Sequence, residues 1–370
     1  MKQKGKVKFV DIDKSKFYAT LQAKVEEYFK SNNISKNANG TMIVKSVILL
    51  SAYLLAFGAI ILIQPALWVS LLLWFSMGIS AAGVGMSVMH DANHGAYSSN
   101  KKVNFVMGQT LNLMGGSVFN WKLQHNILHH TYTNVVHMDD DIDDKVVMRF
   151  SPHTEVKKYH KFQFLYAFLL YCVLTLYWAV GKDFVQYVKY TANGVNPNNK
   201  KENRYTLAGI IVNKLFYFFI FLIMPALVFH LPFIQVLTGF LIMHAIAGLI
   251  LTVVFQLAHT VEGTSHPLPG EDGNIENNWA IHQMNTTVNF SRNNKWLSWY
   301  VGGLNFQVEH HLFPKICHVH YPNLAPIVKE TAESFGVPYL ENKTFMSALR
   351  SHISTLNRFG KMPDMNDAIG

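Results

Sequence analysis

Residues 43–89 form an almost unbroken apolar run. A membrane helix takes about 20 such residues, so this run predicts two. Gln64-Pro65 is the expected break, because proline resists a helix interior. Spans are expected near 45–63 and 66–89. A second apolar run, broken at His230-Leu231-Pro232, predicts spans near 207–229 and 231–258. Each pair makes a hairpin that returns the chain to its starting side. Residues 103–119 are apolar but Gly-rich and interrupted, and read as re-entrant or interfacial. Residues 162–180 are apolar and aromatic, with Tyr166, Tyr171, Tyr177 and Trp178. A crossing there would send the later segments to the opposite face, so this stretch is expected to be interfacial or buried.

Between and around these runs the pattern changes. Residues 1–42 are rich in Lys and Asn, and Lys14 to Lys30 fits an amphipathic helix. Phe17, Leu21, Val25, Tyr28 and Phe29 would share one side, facing either the membrane surface or a packed partner. Residues 181–206 read as a polar linker and 260–300 as polar loops. The expected fold class is all-α: a polytopic membrane protein with four transmembrane helices as two hairpins, plus a cytoplasmic helical cap. The expected organisation is an arm over 1–42, a membrane domain over 43–330 and a cytoplasmic tail over 331–370.

Composition agrees with a membrane protein. Half of the 370 residues are hydrophobic and 15% are charged, against roughly 25% in soluble domains. Nine lysines precede residue 41, so the net charge of +9 is assigned to membrane orientation rather than to nucleic acid. That places the arm in the cytoplasm, beneath a bacterial cytoplasmic membrane or, in a eukaryote, the endoplasmic reticulum. No early apolar core suggests a cleaved signal peptide. The two cysteines, Cys172 and Cys317, are far apart, which argues against a disulfide framework and a thiolate zinc site.

The candidate chemistry lies beside the apolar runs. His90 and His94 close the first hairpin, and His125, His129 and His130 follow the Gly-rich segment. Gln307, His310 and His311 form a third cluster, and His259 ends the last span. Residues three to four apart share a helix face, so each cluster can aim several imidazoles at one point. Histidines at helix ends can also simply cap carbonyls. One metal takes four to six ligands, so eight or nine donors at one depth suit two metals. Cysteine-free imidazole sites suit iron, copper or hydrolytic zinc. Asp91, Asn93 and Asn126 could orient the rings; Asp91 can equally cap a helix. Asp139, Asp140, Asp141, Asp143 and Asp144 read first as a solvated acidic loop. His244, inside the fourth span, reads as a packed, hydrogen-bonded histidine, and Lys214 as a side chain snorkelling to the interface.

The segments HDANHG at 90–95, HNILHHTYTN at 125–134 and QVEHHLFP at 307–314 resemble the three histidine boxes of integral-membrane fatty acid desaturases. The likeness covers roughly residues 65–330. It implies two iron ions, O2, two electrons per turnover and a double bond formed in a fatty acyl chain. It implies that His90, His94, His125, His129, His130, His310 and His311 are catalytic metal ligands, joined by His259 and Gln307. Glutamine in place of histidine at position 307 is similar to front-end acyl and sphingolipid desaturases, including linoleoyl-CoA desaturase-like enzymes. His266-Pro267-Leu268-Pro269-Gly270 lacks the paired glycines of a cytochrome b5 haem loop. A separate electron donor, such as ferredoxin or cytochrome b5, is therefore expected.

The acyl substrate could be linked to CoA, to a carrier protein or to a membrane lipid, and Arg149 could meet its headgroup or be structural. A sphingoid-base desaturase or an acyl hydroxylase would share this site. A non-catalytic metal transporter is disfavoured, because transporters place ligands near mid-bilayer and these boxes flank the spans.

Overall fold

The computed structural model describes residues 7–12, 14–142, 147–363 and 365. Asp143 and Asp144 of the acidic run lie outside the described residues. The chain divides into two compact units. A span unit comprises Asn39–Leu123 and Phe168–Val253; a histidine unit comprises Met1–Ala38, Gln124–Ala167 and Val254–Gly370.

Five described helices are long and apolar enough to cross a membrane: Gly40–Leu62, Leu67–His94, His160–Ala192, Lys200–Leu227 and Phe233–His259. Four match the expected spans, with ends displaced by a few residues. The fifth contains the stretch read as interfacial. It extends that stretch to 33 residues and takes in part of the supposed polar linker. The aromatic residues and Asn-rich ending do not stop this helix, because a π turn at Trp178–Lys182 carries it through Gly181.

Local chemistry sets the helix limits. Asn39 caps Gly40–Leu62 by accepting from Met42 N at 3.2 Å. Asn199 and Glu202 form a reciprocal capping box at the start of Lys200–Phe218. Gln64, at the first hairpin turn, has φ 51° and donates Nε2 to Phe229 O at 2.8 Å. This bond joins the two hairpin turns at one end of the span unit. The helices approach closely through glycine: a Cβ on Gly239 would stand 2.0 Å from Trp74 Cδ1. The indole of the buried Trp74 lies over that bare backbone, surrounded by Phe57, Met77 and Phe240 in the core.

The histidine unit has its own core. The helix Phe17–Ser31 buries Phe17, Leu21, Val25 and Phe29, spaced by four, so one face points inward. These residues pack with Met284, Leu312, Leu324 and Val328. Of the two expected settings for this amphipathic helix, the structure shows the packed one. Two short parallel pairings, Lys8–Phe9 with Asn274–Ile275 and Asn289–Phe290 with Glu341–Asn342, tie down the loops. Arg149 is fully buried and donates to the carbonyls of Phe359 and Met362 at 2.5 Å and Pro152 at 2.8 Å. It holds the C-terminal helix Phe345–Lys361 and is a structural residue rather than a headgroup contact.

Candidate metal centre

His125 and His129 lie on a π turn, Lys122–His129, and His130 opens the α turn that follows. A π turn pairs residues five apart, so one turn after His125 comes both His129 and His130. Their ring centroids lie 5.1 and 4.9 Å from that of His125. Gln307, His310 and His311 share the helix Gln307–Leu312, and His259 ends the helix Phe233–His259. The fold brings these seven residues together inside the histidine unit, all of them buried. One ring nitrogen from each of His129, His259 and His311 lies within 4.8 Å of the others, and His130, His310 and His311 form a second such group.

In four of these rings the other nitrogen is held from behind. Asp139 meets His129 Nδ1 with both oxygens, at 3.0 and 2.9 Å. Asp141 Oδ2 meets His125 Nδ1 at 3.1 Å, and its Oδ1 accepts from Gln124 Nε2. Gln283 Oε1 meets His311 Nδ1 at 2.8 Å, and Tyr321 Oη meets His310 Nδ1 at 3.3 Å. A partner at Nδ1 fixes the ring and leaves Nε2 as the donor to a metal. Burial alone would lower the His129 pKa, but the charge and hydrogen bond of Asp139, with the charge of Asp141, raise it.

Asp139 and Asp141 of the acidic run are therefore not simply solvated. Asn134, with φ 57°, turns the chain back so that its N–H donates to Asp139 Oδ2 at 2.9 Å. The Asn134 side chain donates Nδ2 to His259 O at 3.0 Å, linking the second box to the isolated histidine. Gln283 also donates to His130 O at 3.3 Å and accepts from Thr133 Oγ1 at 2.8 Å. Neither Gln283 nor Tyr321 carries a sequence signal. For Asp139 and Asp141 the signal was the acidic run itself, ten residues after the histidines.

His90 and His94 belong to the span unit. They end the helix Leu67–His94, which Gly95 terminates with φ 77°. Their rings lie 4.7 Å apart, so the i, i+4 spacing presents both on one face. Asp91 Oδ1 stands 3.7 Å from His90 Nδ1, beyond hydrogen-bond length, and Asn93 Nδ2 donates to Gly108 O at 3.2 Å. Asn126 sits half-buried on the π turn. His244 is a packed residue: Tyr217 Oη and Thr175 Oγ1 occupy its two nitrogens at 2.9 and 3.1 Å.

The donor set fits a metal. His129 Nε2 is buried without a hydrogen-bond partner, although its Nδ1 is doubly held. Gln307 Oε1 is likewise buried and unpartnered. Gln307 Nε2 faces His259 Nε2 at 2.9 Å and His311 Nε2 at 3.4 Å. Amide oxygen and nitrogen are nearly isosteric, so a half-turn of the amide brings the oxygen to those rings.

The sequence signature of the fatty acid desaturase family matches residues 66–343. The chain belongs to the fatty acid desaturase family. It is 36% identical to an sn-1 linoleoyl-lipid 6-desaturase of Arthrospira platensis, over 94% of each chain. It is 37% identical to the enzyme of the same description from Synechocystis sp., over 96% of this chain and 98% of that one. An acyl-lipid (8-3)-desaturase of Physcomitrium patens is 35% identical over 97% of this chain and 74% of its own length. This desaturase is thus an enzyme of fatty acid metabolism, an oxidoreductase and a membrane protein.

Proposed function

We propose that this desaturase uses two iron ions, O2 and two electrons from a separate donor to place a double bond in a lipid-linked fatty acyl chain. The glutamine-led third box and the similarity to two linoleoyl-lipid 6-desaturases support a front-end position, between an existing double bond and the carboxyl end. The observation that carries the reading is the ring set His129, His259 and His311, with the His129 Nδ1 locked by Asp139.

His125, His129, His130, His259, Gln307, His310 and His311 would hold the irons, with His90 and His94 completing the set on the strength of their spacing and place in sequence. Bound iron would supply oxygen activation and removal of hydrogen from an unactivated C–H bond. Net desaturation takes two hydrogens from adjacent carbons and, with two electrons and two protons, reduces O2 to two waters. The protein's part is orientation. Asp139, Asp141 and Gln283 fix ring tautomers, and burial keeps bulk water from the imidazoles. The lysine-rich arm packs in the same unit as the rings, which supports a site on the cytoplasmic side.

The test is lipid analysis of cells that express the chain and are supplied with linoleoyl lipids, beside a His129→Ala control. A new double bond in lipid-bound chains, absent from the control, is the expected result. An unchanged profile from iron-loaded protein with a working reductant would rule the proposal out. Stoichiometric native zinc would do the same.

A further inference from the structure

We propose that the intramembrane pair Lys214–Asp183 positions the first two box histidines through Trp121. The proposal rests on the reading that His90 and His94 are metal ligands. Lys214, whose place near the start of a span suggests snorkelling, does the reverse. It is 4% exposed, and its Nζ lies 2.7 Å from Asp183 Oδ2, 2.9 Å from Gly115 O, 2.8 Å from Trp178 O and 2.9 Å from Ala179 O. An ammonium has three N–H donors, so four oxygens saturate it and none remains for a substrate.

The oxygens explain the placement. Trp178 and Ala179 belong to the π turn Trp178–Lys182, where the wider helical winding departs from the ordinary α ladder. Lys214 takes up their carbonyls. Asp183, at the foot of that turn, accepts from Ser117 N at 3.0 Å through Oδ2 and from Asn120 Nδ2 at 2.7 Å through its own carbonyl. Both charges therefore grip one short stretch, 115–120. Gly115 has φ 72°, and a Cβ there would stand 2.9 Å from Ala179 Cβ, so this stretch is pressed against the π turn.

Ser117 starts the helix Val118–Trp121, and Trp121 is the residue after the gripped stretch. Its indole lies 5.8 Å from the His90 ring and 5.7 Å from the His94 ring, inclined at 79° and 74°. One side chain thus walls both imidazoles edge to face. A buried ion pair adds little net stability over apolar residues of the same volume, while ionisable groups within membrane helices tend to mark function. What this pair contributes is the location of Trp121, and through it the aim of two rings.

The test uses the full-length protein in detergent. Lys214→Met/Asp183→Leu removes both charges together, so no lone buried charge remains. Iron per chain, the Mössbauer signal of the iron, thermal unfolding and kcat against KM are measured beside His90→Ala. The double variant is expected to unfold near the parent's temperature, to retain less iron with an altered signal, and to lose about tenfold in kcat at unchanged KM. Lys214→Arg should restore part of the iron. A folded double variant with full iron and parental kcat overturns the proposal. If His90→Ala also keeps full iron and activity, the assignment of the first box fails with it. Should the double variant not fold, Trp121→Leu, which leaves the pair intact, must show the same loss of iron; full iron there overturns the proposal equally.

Discussion

Asp139 holds His129 Nδ1 with both carboxylate oxygens, at 3.0 and 2.9 Å, and both residues are fully buried or nearly so. A single hydrogen bond would fix a tautomer. Two oxygens at one nitrogen, with Asn134 N and Asp141 N also bound to the carboxylate at 2.9 and 3.0 Å, fix the ring's plane as well.

Asp139→Asn should therefore cost more than its small change in shape implies. An amide can present N–H to Nδ1, favouring the wrong tautomer and placing the ring proton on Nε2. Iron retention is expected to fall about 10- to 100-fold, as is usual for groups behind a ligand. Asp141→Asn should cost less, because Asp141 is partly exposed. Iron titration of the two purified variants checks this order. Equal losses, or none for Asp139→Asn, contradict it.

Much of this was open to a reader of the sequence. The boxes are local patterns, and i, i+4 spacing brings His90 and His94 together without further information. Four of the five membrane-length helices needed only their apolar runs and the two prolines, whereas His160–Ala192 reads as interfacial. What was not legible depends on the chain folding back on itself. Asp139 reads as one of several solvated aspartates until the positive φ of Asn134 reverses the backbone. Gln283 reaches His311 across 28 residues and Thr133 across 150, distances at which no periodicity speaks. Lys214 was misplaced because its partner Asp183 lies in a stretch that reads as linker rather than helix.

Close packing of the span helices gives a paired test. A Cβ at Gly239 would lie 2.0 Å from Trp74 Cδ1, whereas one at Gly58 would meet nothing within 4 Å. Gly239→Ala forces the indole or the helix to move, at a cost of about 1–3 kcal/mol or more. Gly58→Ala should be neutral or stabilise by up to about 1 kcal/mol through helix propensity. Unfolding temperatures in one detergent compare the two. A Gly239→Ala protein as stable as Gly58→Ala would mean that the Trp74 contact is not tight.

Stability should also depend on pH in the acid direction. Burial pushes the imidazoles of His352 and His282 down to about 4 from the ordinary 6.5. Each ring is neutral when folded and takes its proton more readily when unfolded. Their contribution is complete above pH 6.5 and is lost as pH falls from there towards 4. By pH 5 the loss is about 2 kcal/mol for each ring. His352 Nδ1 donates to Thr260 O at 2.7 Å, so His352→Gln keeps a donor without the titration. The parent's unfolding temperature is expected to drop between pH 7.5 and 5, and that of His352→Gln to drop less. A parent curve that is flat over this range refutes the assignment.

Gln307 is the residue on which the proposed ligand set is most exposed to test. Its amide lies between His259 Nε2 at 2.9 Å and His311 Nε2 at 3.4 Å, and its Oε1 has no hydrogen-bond partner. A neutral carbonyl oxygen is a weaker donor to iron than imidazole, so glutamine here would leave one metal more loosely held than its neighbour. Gln307→Leu removes the oxygen while keeping most of the volume, and should purify with close to one iron fewer per chain. Gln307→His supplies a stronger nitrogen donor and should hold its full iron against a chelator for longer than the parent. If Gln307→Leu keeps parental iron and releases it at the parental rate, the amide serves only to hydrogen-bond His259 and His311. The ligands would then be imidazoles alone.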